Sequence, residues 1–179
     1  MLNFAPTPLW PDIVARNAEK LEKLATGFRE KYGVQVLTIT QDLSVCGAAE
    51  CVYDKVHAAG WTVEYLINNA GFGDWNRFVD CDWKKQNEMI HLNILTLTAM
   101  CRFFGHDMRR RKSGRILNVA SAAAFLPGPY LSVYFASKAY VLSFSRAIAQ
   151  ELKADGVTVT VLCPAPTKTN FENAANLKA

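Results

Sequence analysis

From Asp12 onward, short runs rich in β-branched residues alternate with longer segments whose apolar residues recur at helical spacing. This alternation is typical of parallel α/β architecture, in which a helix follows each strand. Several of the short runs are apolar on both faces, as expected for a sheet with helices on each side. The predicted strands are "DIVAR", "QVLTIT", "VEYLIN", "RILNVAS" and "VTVTVL".

The segments between these runs carry helix start and stop signals. Asn17 is predicted to cap the first helix, which Gly33 ends. Ser44 is predicted to cap the second helix, which Gly60 ends. A long helix is predicted from about Asp82 to Arg111, just before the fourth strand.

The charge of the chain does not indicate nucleic acid or an anionic membrane as a partner. Its net charge is +4, from 20 Lys and Arg against 16 Asp and Glu, and most charges are interspersed. The densest basic run, from Met108 to Arg115, ends a long helical pattern. It is better explained as a solvated last turn that complements the helix dipole than as a phosphate-binding patch.

The cysteine and apolar patterns favour a cytoplasmic protein. The five cysteines form no CxxC pair and share no ligand-like spacing with the three histidines, so neither a metal site nor a disulfide framework is predicted. No apolar run approaches the ~18 residues that span a bilayer. The segment "MLNFAPTPLWPD" lacks a basic start and contains three prolines, so it is predicted to be neither signal peptide nor anchor.

Ligands of parallel α/β sheets gather beyond the carboxyl ends of the strands. The residues that directly follow the predicted strands are therefore candidates for a functional site. They are Arg16, Asp42, Asn68 to Gly71, Ser121 and Cys163 to Thr167.

A further candidate is the pair Tyr134 and Lys138 in "SVYFASKAYV", which is predicted to lie on a helix. Residues four apart share one helix face. A nearby ammonium favours phenolate, so Lys138 is expected to lower the pKa of Tyr134 from its usual value of about 10 and let the tyrosine give or take a proton. Taken alone, this spacing occurs by chance on many helices, and chance is then the simpler explanation.

Ser121 makes chance a weaker explanation. It ends a predicted strand 13 residues before Tyr134, and the turn "FLPGP" between them can fold the chain back. A hydroxyl at that place can hydrogen-bond a carbonyl oxygen on which negative charge develops, while the tyrosine supplies the proton. The alternative for Ser121 is a helix cap or a turn residue.

Five ordered segments resemble the short-chain dehydrogenase/reductase family. They are "NNAG" (Asn68 to Gly71), Asn93, Ser121, "YFASK" (Tyr134 to Lys138) and "CPAPTKTNF" (Cys163 to Phe171). The resemblance implies an α/β fold with a Rossmann-type doubly wound parallel sheet and helices on both faces. It also implies hydride transfer between NAD or NADP and a carbonyl or alcohol carbon.

The resemblance gives each candidate catalytic residue a role. Tyr134 resembles the acid/base, and Lys138 the residue that lowers its pKa and holds the nicotinamide ribose. Ser121 resembles the residue that orients the substrate oxygen. Asn93, inside an otherwise apolar helix, resembles the residue that holds a water between Lys138 and solvent. The alternative for Asn93, a satisfied core amide, is plausible only without the other three.

The resemblance also implies cofactor contacts near the adenosine. Asp42 matches the carboxylate that accepts from the adenine amino group, with Leu43 beside it. Arg16 follows the first strand, where an acidic residue would select NAD and an arginine suits the 2′-phosphate of NADP. NADP is therefore the predicted cofactor, and a surface cation is the alternative for Arg16.

Backbone close to the cofactor is implied at Asn69, Ala70 and Gly71, where the glycine permits close approach. The remaining cofactor contacts that the resemblance implies are Tyr134, Lys138, Pro164, Ala165 and Thr167. Ala165 stands where the family usually has glycine, which could crowd the nicotinamide.

The chain departs from the family pattern at both ends. The family begins with a strand and a glycine-rich TGxxxGxG turn, and neither is present in this sequence, whose first glycine is Gly27. The absent strand would lie between "DIVAR" and "VEYLIN", so we expect unpaired edges there. The final strand and much of the substrate lid are also expected to be missing. Residues 1–179 are thus predicted to form one incomplete NAD(P)-binding domain, and a start codon placed too late would explain the loss.

The leading hypothesis is an NADP-dependent oxidoreductase that acts on a small carbonyl or alcohol substrate of 3-oxoacyl or hydroxysteroid type. One alternative is a non-catalytic fragment that has lost cofactor binding. Another is an interaction module, because the long helix and the Tyr134 helix carry more apolar residues than one core needs and pair into a dimer interface in the resembling family. A homo-oligomer is therefore expected if the chain folds.

Overall fold

The computed structural model describes residues 11–165. All five predicted strands are confirmed as β1 (Asp12–Ala15), β2 (Leu37–Thr40), β3 (Tyr65–Asn68), β4 (Gly114–Val119) and β5 (Val157–Leu162). They alternate with α1 (Ala18–Tyr32), α2 (Ala48–Ala58), α3 (Trp83–Ile90), α4 (Leu97–Arg111) and α5 (Ser132–Lys153). Two short 3₁₀ turns occupy Phe78–Asp80 and Ala122–Phe125.

The ends of α1 form as their residues predict. The Asn17 side chain accepts a hydrogen bond from the Lys20 amide at 2.8 Å and so satisfies one free N–H of the first turn. Gly33 ends the helix in the left-handed conformation, with φ 63°, and its amide donates to the Arg29 carbonyl.

The start of α2 differs from the prediction. The helix begins at Ala48 after Gly47, and Ser44 does not cap it. Ser44 instead donates from its amide and its hydroxyl to Asp42 Oδ1, at 2.9 and 2.6 Å. A local turn that satisfies the Asp42 carboxylate has therefore replaced the predicted cap.

The long helix predicted from Asp82 to Arg111 is confirmed in extent, but its middle is not α-helical. Asp82 caps α3, and residues His91–Thr96 form a π-helical segment that leads into α4. Asn93 lies in this segment. Such π-helical turns often occur at functional sites because they redirect side chains within a helix.

The strands form two parallel sheets. β1 pairs with β2, and β4 lies between β3 and β5. Among residues 11–165, no strand pairs with the second edge of β1 or with the free edge of β3. The expected interruption of the sheet between these two strands is therefore present.

Helices pack on both faces of the strands. The Thr38 hydroxyl on β2 contacts Glu22 of α1 on one side, whereas its neighbour Ile39 joins the core formed with α2 and α4 on the other. The same core continues through Leu66 and Ile116 into the three-stranded sheet. The predicted doubly wound arrangement is thus confirmed.

The three-stranded sheet buries one face more completely than the other. Ile116 and Asn118 of β4 lie under α4 and α5 and are almost inaccessible. On the opposite face, Ile67 is 61% exposed and Leu162 is 49% exposed. The core therefore lies on the helix-covered side, and the candidate site residues stand at the carboxyl edge of the strands.

Candidate active site

Ser121 and Tyr134 are brought together by the turn that separates them. Ser121 follows β4 in extended conformation and caps the Ala122–Phe125 turn by accepting the Ala123 amide at 3.1 Å. Its side chain also hydrogen-bonds to the phenol of Tyr134, which lies in the first turn of α5. Ser121 therefore serves as both a turn residue and a neighbour of the phenol.

Lys138 lies on the same face of α5 as Tyr134. Its ammonium is 5.8 Å from the centroid of the Tyr134 ring, and it donates a hydrogen bond to the Val119 carbonyl at 2.9 Å. The two residues are only 5% and 9% exposed, respectively. A buried ammonium held at the end of a strand is an expensive arrangement, which is typical of functional sites.

Burial shifts both proton affinities away from the charged forms. It lowers the pKa of Lys138 to about 8, although the nearby Cys163 opposes the shift. It also raises the pKa of Tyr134, and the hydrogen bond from Ser121 offsets only part of this rise. The lowered tyrosine pKa expected from Lys138 is therefore not present in the chain by itself, because desolvation raises the pKa of Tyr134 and only the Ser121 hydrogen bond opposes it.

The side chain of Asn93 is fully engaged within the protein. It donates to the Phe72 carbonyl and to Ser137 Oγ, each at 3.0 Å, and its oxygen accepts the Phe72 amide at 3.2 Å. Asn93 is 1% exposed. Its side chain thus fastens the loop after β3 to α5, as a satisfied core amide would.

Gly71 approaches Asn93 and Lys138 closely. A Cβ atom at this position would lie 3.0 Å from Asn93 Oδ1 and 3.3 Å from Lys138 Nζ. The resemblance implies this glycine for the cofactor, and packing within the chain also favours it, because a side chain here would crowd Asn93 and Lys138. The preceding residues Asn69 and Ala70 are exposed at the carboxyl end of β3.

Arg16 and Asp42 lie near each other at the carboxyl ends of β1 and β2. The hydrogen bond from the Ser44 hydroxyl lowers the pKa of the Asp42 carboxyl most, and the bond from the Ser44 amide lowers it further. The Arg16 charge adds to this effect. Arg16 is exposed. The carbonyl of Leu43 accepts a hydrogen bond from Thr96 at 2.8 Å, which joins this loop to the π-helical segment.

The segment after β5 reaches the same edge. The Pro164 carbonyl accepts the Ala122 amide at 2.9 Å and so places this segment beside Ser121. Ala165 is exposed. Thr167 lies outside the described residues.

Ser137 and a series of buried side-chain hydrogen bonds were not predicted from the sequence. Ser137 is fully buried, donates to the Tyr134 carbonyl at 2.7 Å and accepts from Asn93. Asn68 donates to Asn118 at 2.8 Å, and Asn118 donates to Ser145 at 2.9 Å, so one chain of bonds crosses β3, β4 and α5. Polar residues inside an apolar pattern were the available signal.

Two loops flank the turn between Ser121 and Tyr134 and are tied to each other. Trp75 stacks on Tyr130 with ring centroids 5.5 Å apart, and the Asn76 amide donates to the Tyr130 carbonyl. Tyr130 adopts φ 66°, which is unfavourable for a residue with a side chain. The buried Asp74 binds Lys85 and Gln86 of α3 and anchors this pair of loops.

Neither a metal centre nor a membrane segment is evident in the part of the chain from residue 11 to residue 165. No group of three or more His, Cys, Asp or Glu side chains there is placed to hold a metal ion. None of the helices in that range combines the length and apolar character needed to cross a bilayer.

The fold and the site together define a doubly wound α/β protein with a serine, tyrosine and lysine constellation at the carboxyl edge of its sheet. The family model for short chain dehydrogenases matches residues 12–179. The chain belongs to this family.

Relatives and solved structures support the same assignment. The chain is 36% identical over 158 residues to the very-long-chain 3-oxoacyl-CoA reductase of Anas platyrhynchos, covering 85% of this chain and 50% of that protein. It is 32% identical over 171 residues to 17-beta-hydroxysteroid dehydrogenase type 3 of Mus musculus, with coverages of 93% and 54%. The chain spans about half the length of these curated relatives.

A solved short-chain dehydrogenase from Sphingobium yanoikuyae, in complex with NADPH, matches this fold with a TM-score of 0.87. It is 29% identical, and the match covers 93% of this chain and 65% of that chain.

Proposed function

We propose that this chain carries the catalytic part of an NADP(H)-dependent oxidoreductase that interconverts a carbonyl compound and its alcohol. The observation that carries this proposal is the hydrogen bond between Ser121 and Tyr134, with the buried Lys138 ammonium beside the phenol ring. Few other reactions need a phenol, a hydroxyl and an ammonium at one strand edge. Hydride transfer to a carbonyl carbon needs a proton donor at the oxygen, and the phenol can be that donor.

The residues present suit both ends of a dinucleotide. An exposed guanidinium at the end of β1, Arg16, suits a 2′-phosphate, and exposed backbone at Asn69 and Ala70 follows β3. The buried ammonium of Lys138 suits a ribose hydroxyl. NADPH, when bound, supplies the hydride that adds to the carbonyl carbon.

The chain's own residues then hydrogen-bond to the substrate oxygen and protonate it. As the carbonyl bond opens, its electron pair moves to the oxygen, Ser121 donates a hydrogen bond to it, and Tyr134 transfers its proton there. The raised pKa of Tyr134 keeps the phenol protonated before the reaction. Lys138 lies where its charge stabilises the phenolate that remains, and Ser137 and Asn93 hold the backbone around the pair.

The proposal also includes a preferred cofactor, a substrate class, a location and an oligomeric state, which rest on resemblance and on single residues. Arg16 supports NADP over NAD, and the NADPH complex of the Sphingobium yanoikuyae enzyme agrees with it. The named activities of the curated relatives support a 3-oxoacyl or hydroxysteroid-like substrate. A cytoplasmic location and a homo-oligomer complete the proposal. For the oligomer, the support is the partly exposed pair of stacked rings of Tyr140 and Phe144 on α5, where the Tyr140 hydroxyl hydrogen-bonds to Thr98 of α4.

The test is NADPH oxidation by the purified 179-residue chain with a panel of ketones, 3-oxoacyl thioesters and ketosteroids. We expect turnover that Tyr134→Phe reduces by about 10³-fold, because the variant lacks the proton that the oxygen must receive. Tyr140→Phe, on the exposed side of the same helix, is the matched control and should retain activity. Equal activity in Tyr134→Phe and Tyr140→Phe would refute the assignment.

A second function is favoured by one observation, the unpaired edges of β1 and β3 in the described residues. A chain in this state that cannot hold the pyrophosphate would be a non-catalytic relative of the family. Titration with NADPH separates the two proposals. Micromolar binding, weakened about tenfold by Arg16→Gln, supports the oxidoreductase, whereas no binding by a folded chain supports the non-catalytic protein.

A further inference from the structure

A second polar cleft lies at the edge of the sheet opposite the candidate active site. It forms where α2 and α4 end and β3 begins, and its volume is about 350 Å³. This volume falls in the range of small-molecule sites, about 300 to 1,000 Å³. The residues that shape its chemistry are His57, Trp61, Phe104, Asp107, Arg110 and Arg111.

The negative charge in this cleft is already committed. Asp107 Oδ2 accepts the Tyr53 hydroxyl at 3.0 Å and lies 2.9 Å from His57 Nε2. The Tyr53 and His57 rings, both of α2, are tilted against each other with centroids 4.3 Å apart, and their bonds to Asp107 join α2 to α4. The pKa of Asp107 lies below its ordinary value: burial opposes this shift, but the hydrogen bonds from His57 and Tyr53 outweigh it.

The two guanidinium groups of the cleft, in contrast, have few partners. Arg111 donates to the Val63 carbonyl at 2.8 Å, which directs its guanidinium toward the loop before β3. Within the described range of 11–165, Arg110 has no hydrogen-bond or ion-pair partner. The cleft is therefore lined by two arginines and one carboxylate, and that carboxylate already has Tyr53, His57 and His106 as partners.

Several helix-end carbonyls around the cleft are already occupied by backbone amides. The last carbonyls of α2, at Lys55, Val56 and His57, accept the amides of Ala59, Trp61 and Gly60. The Met108 carbonyl near the end of α4 accepts the Ser113 amide. These caps remove the carbonyl oxygens that would favour a metal or an ammonium. What remains is a guanidinium beside the apolar surfaces of Trp61 and Phe104.

We propose that this cleft binds a small aromatic carboxylate. The carboxylate pairs with the Arg110 guanidinium, whose planar fork matches two carboxylate oxygens. The ring of the ligand lies against Trp61 and Phe104, where flat apolar groups gain most from contact. This site is independent of the oxidoreductase proposal, because none of its residues belongs to the candidate active site.

The experiment uses benzoate as the probe and the full 179-residue chain. The Trp61 indole N–H signal, identified by its loss in Trp61→Phe, is followed in ¹H–¹⁵N spectra during titration. We expect a saturable shift with a dissociation constant in the millimolar range. Benzamide, which keeps the ring without the charge, and inorganic phosphate, which keeps the charge without the ring, should each bind at least about tenfold more weakly.

Two variants localise the site. Arg110→Gln should weaken benzoate binding about tenfold, while Arg102→Gln, an exposed arginine of the same helix outside the cleft, should leave it unchanged. Circular dichroism establishes that each variant is folded. No saturation of the Trp61 signal, equal affinity for benzamide or phosphate, or equal weakening by both arginine variants would each overturn the proposal.

Discussion

The two sheets hold their candidate site residues in different ways. In the three-stranded region, which consists of β3, β4, β5 and α5, Tyr134 is bonded to Ser121, and Lys138 is bonded to the Val119 carbonyl. These bonds join residues that are 13 and 19 positions apart in the chain. In the two-stranded region, which consists of β1, β2 and α1, Arg16 is exposed and Asp42 hydrogen-bonds to Ser44, only two residues away.

This contrast indicates which part of the site has the more strongly determined geometry. The phenol and the ammonium are buried and fixed by tertiary packing, so their positions depend on many contacts at once. Arg16 and Asp42 depend on two strands of four residues each and on one local turn. The proposed proton-transfer groups should therefore be sensitive to core changes, and the proposed adenosine contacts to local ones.

The largest expected effect comes from Asn118→Ala in the three-stranded region. Asn118 is fully buried, and the variant removes the acceptor of the partly buried Asn68 and the donor to the buried Ser145. Because unsatisfied buried polar groups keep their desolvation cost, the free energy of unfolding should fall by about 3 kcal/mol. Urea unfolding followed by circular dichroism measures this loss.

Thr38→Ala is the comparison in the two-stranded region. It removes one exposed hydrogen bond, to Glu22 at 3.3 Å. The expected loss is less than about 0.5 kcal/mol. If both variants lost the same stability, the contrast between the two regions would be an error.

The second prediction concerns pH and the buried lysine. The pKa of Lys138 is lowered by burial from 10.5 to about 8. Between these values the unfolded chain keeps the proton and the folded chain has lost it, so raising the pH stabilises the fold. From about pH 8 to pH 10 the titration of Lys138 should contribute a rise of about 2 kcal/mol to the free energy of unfolding, as urea unfolding at each pH would measure. Cys101, whose pKa is raised by burial to about 11, offsets part of this rise, so the Lys138 contribution is the difference between the parent chain and Lys138→Met.

Lys138→Met should flatten this rise, because the titrating group is gone. Lys153→Met, at the exposed end of the same helix, should retain it. Above pH 10 the raised pKa of Tyr134 acts in the opposite direction, so the comparison is made below that value. A rise that persists in Lys138→Met would mean that another group causes it.

The third prediction addresses the start of α1 in the two-stranded region. Asn17→Ala removes the side-chain oxygen that accepts the Lys20 amide. The loss of an N-cap costs about 1 kcal/mol. Asn17→Asp keeps an acceptor at the same place and should restore most of the stability in the same urea measurement. Equal losses in both variants would show that the cap does not contribute as expected.

The fold was largely predictable from the sequence, because strand and helix periods and the Asn17 and Gly33 signals are local. The candidate site was predictable as a set of residues, since "YFASK" and Ser121 contain the residues at its centre. Their electrostatics were not, because the pKa of Tyr134 depends on desolvation by the whole core. The π-helical turn at Asn93 and the Ser44 turn were also missed, since each arises from hydrogen bonds that compete with a regular helix.

The smallest effect is expected at Asp42, and it separates a local cause from a long-range one. Ser44 hydrogen bonds lower the pKa of Asp42 more than the Arg16 charge does. Ser44→Ala should therefore raise that pKa more than Arg16→Gln, as a ¹³C carboxyl titration would measure. A carboxyl whose pKa is lowered by folding stabilises the fold at pH values above its pKa in the unfolded chain. Both variants should therefore lose a small part of their stability near neutral pH. This loss relative to the parent chain should vanish in acid, where the carboxyl is protonated. A larger shift in Arg16→Gln would mean that the two strand ends are coupled more tightly than the exposure of Arg16 implies, and the two-stranded region would then resemble the three-stranded one.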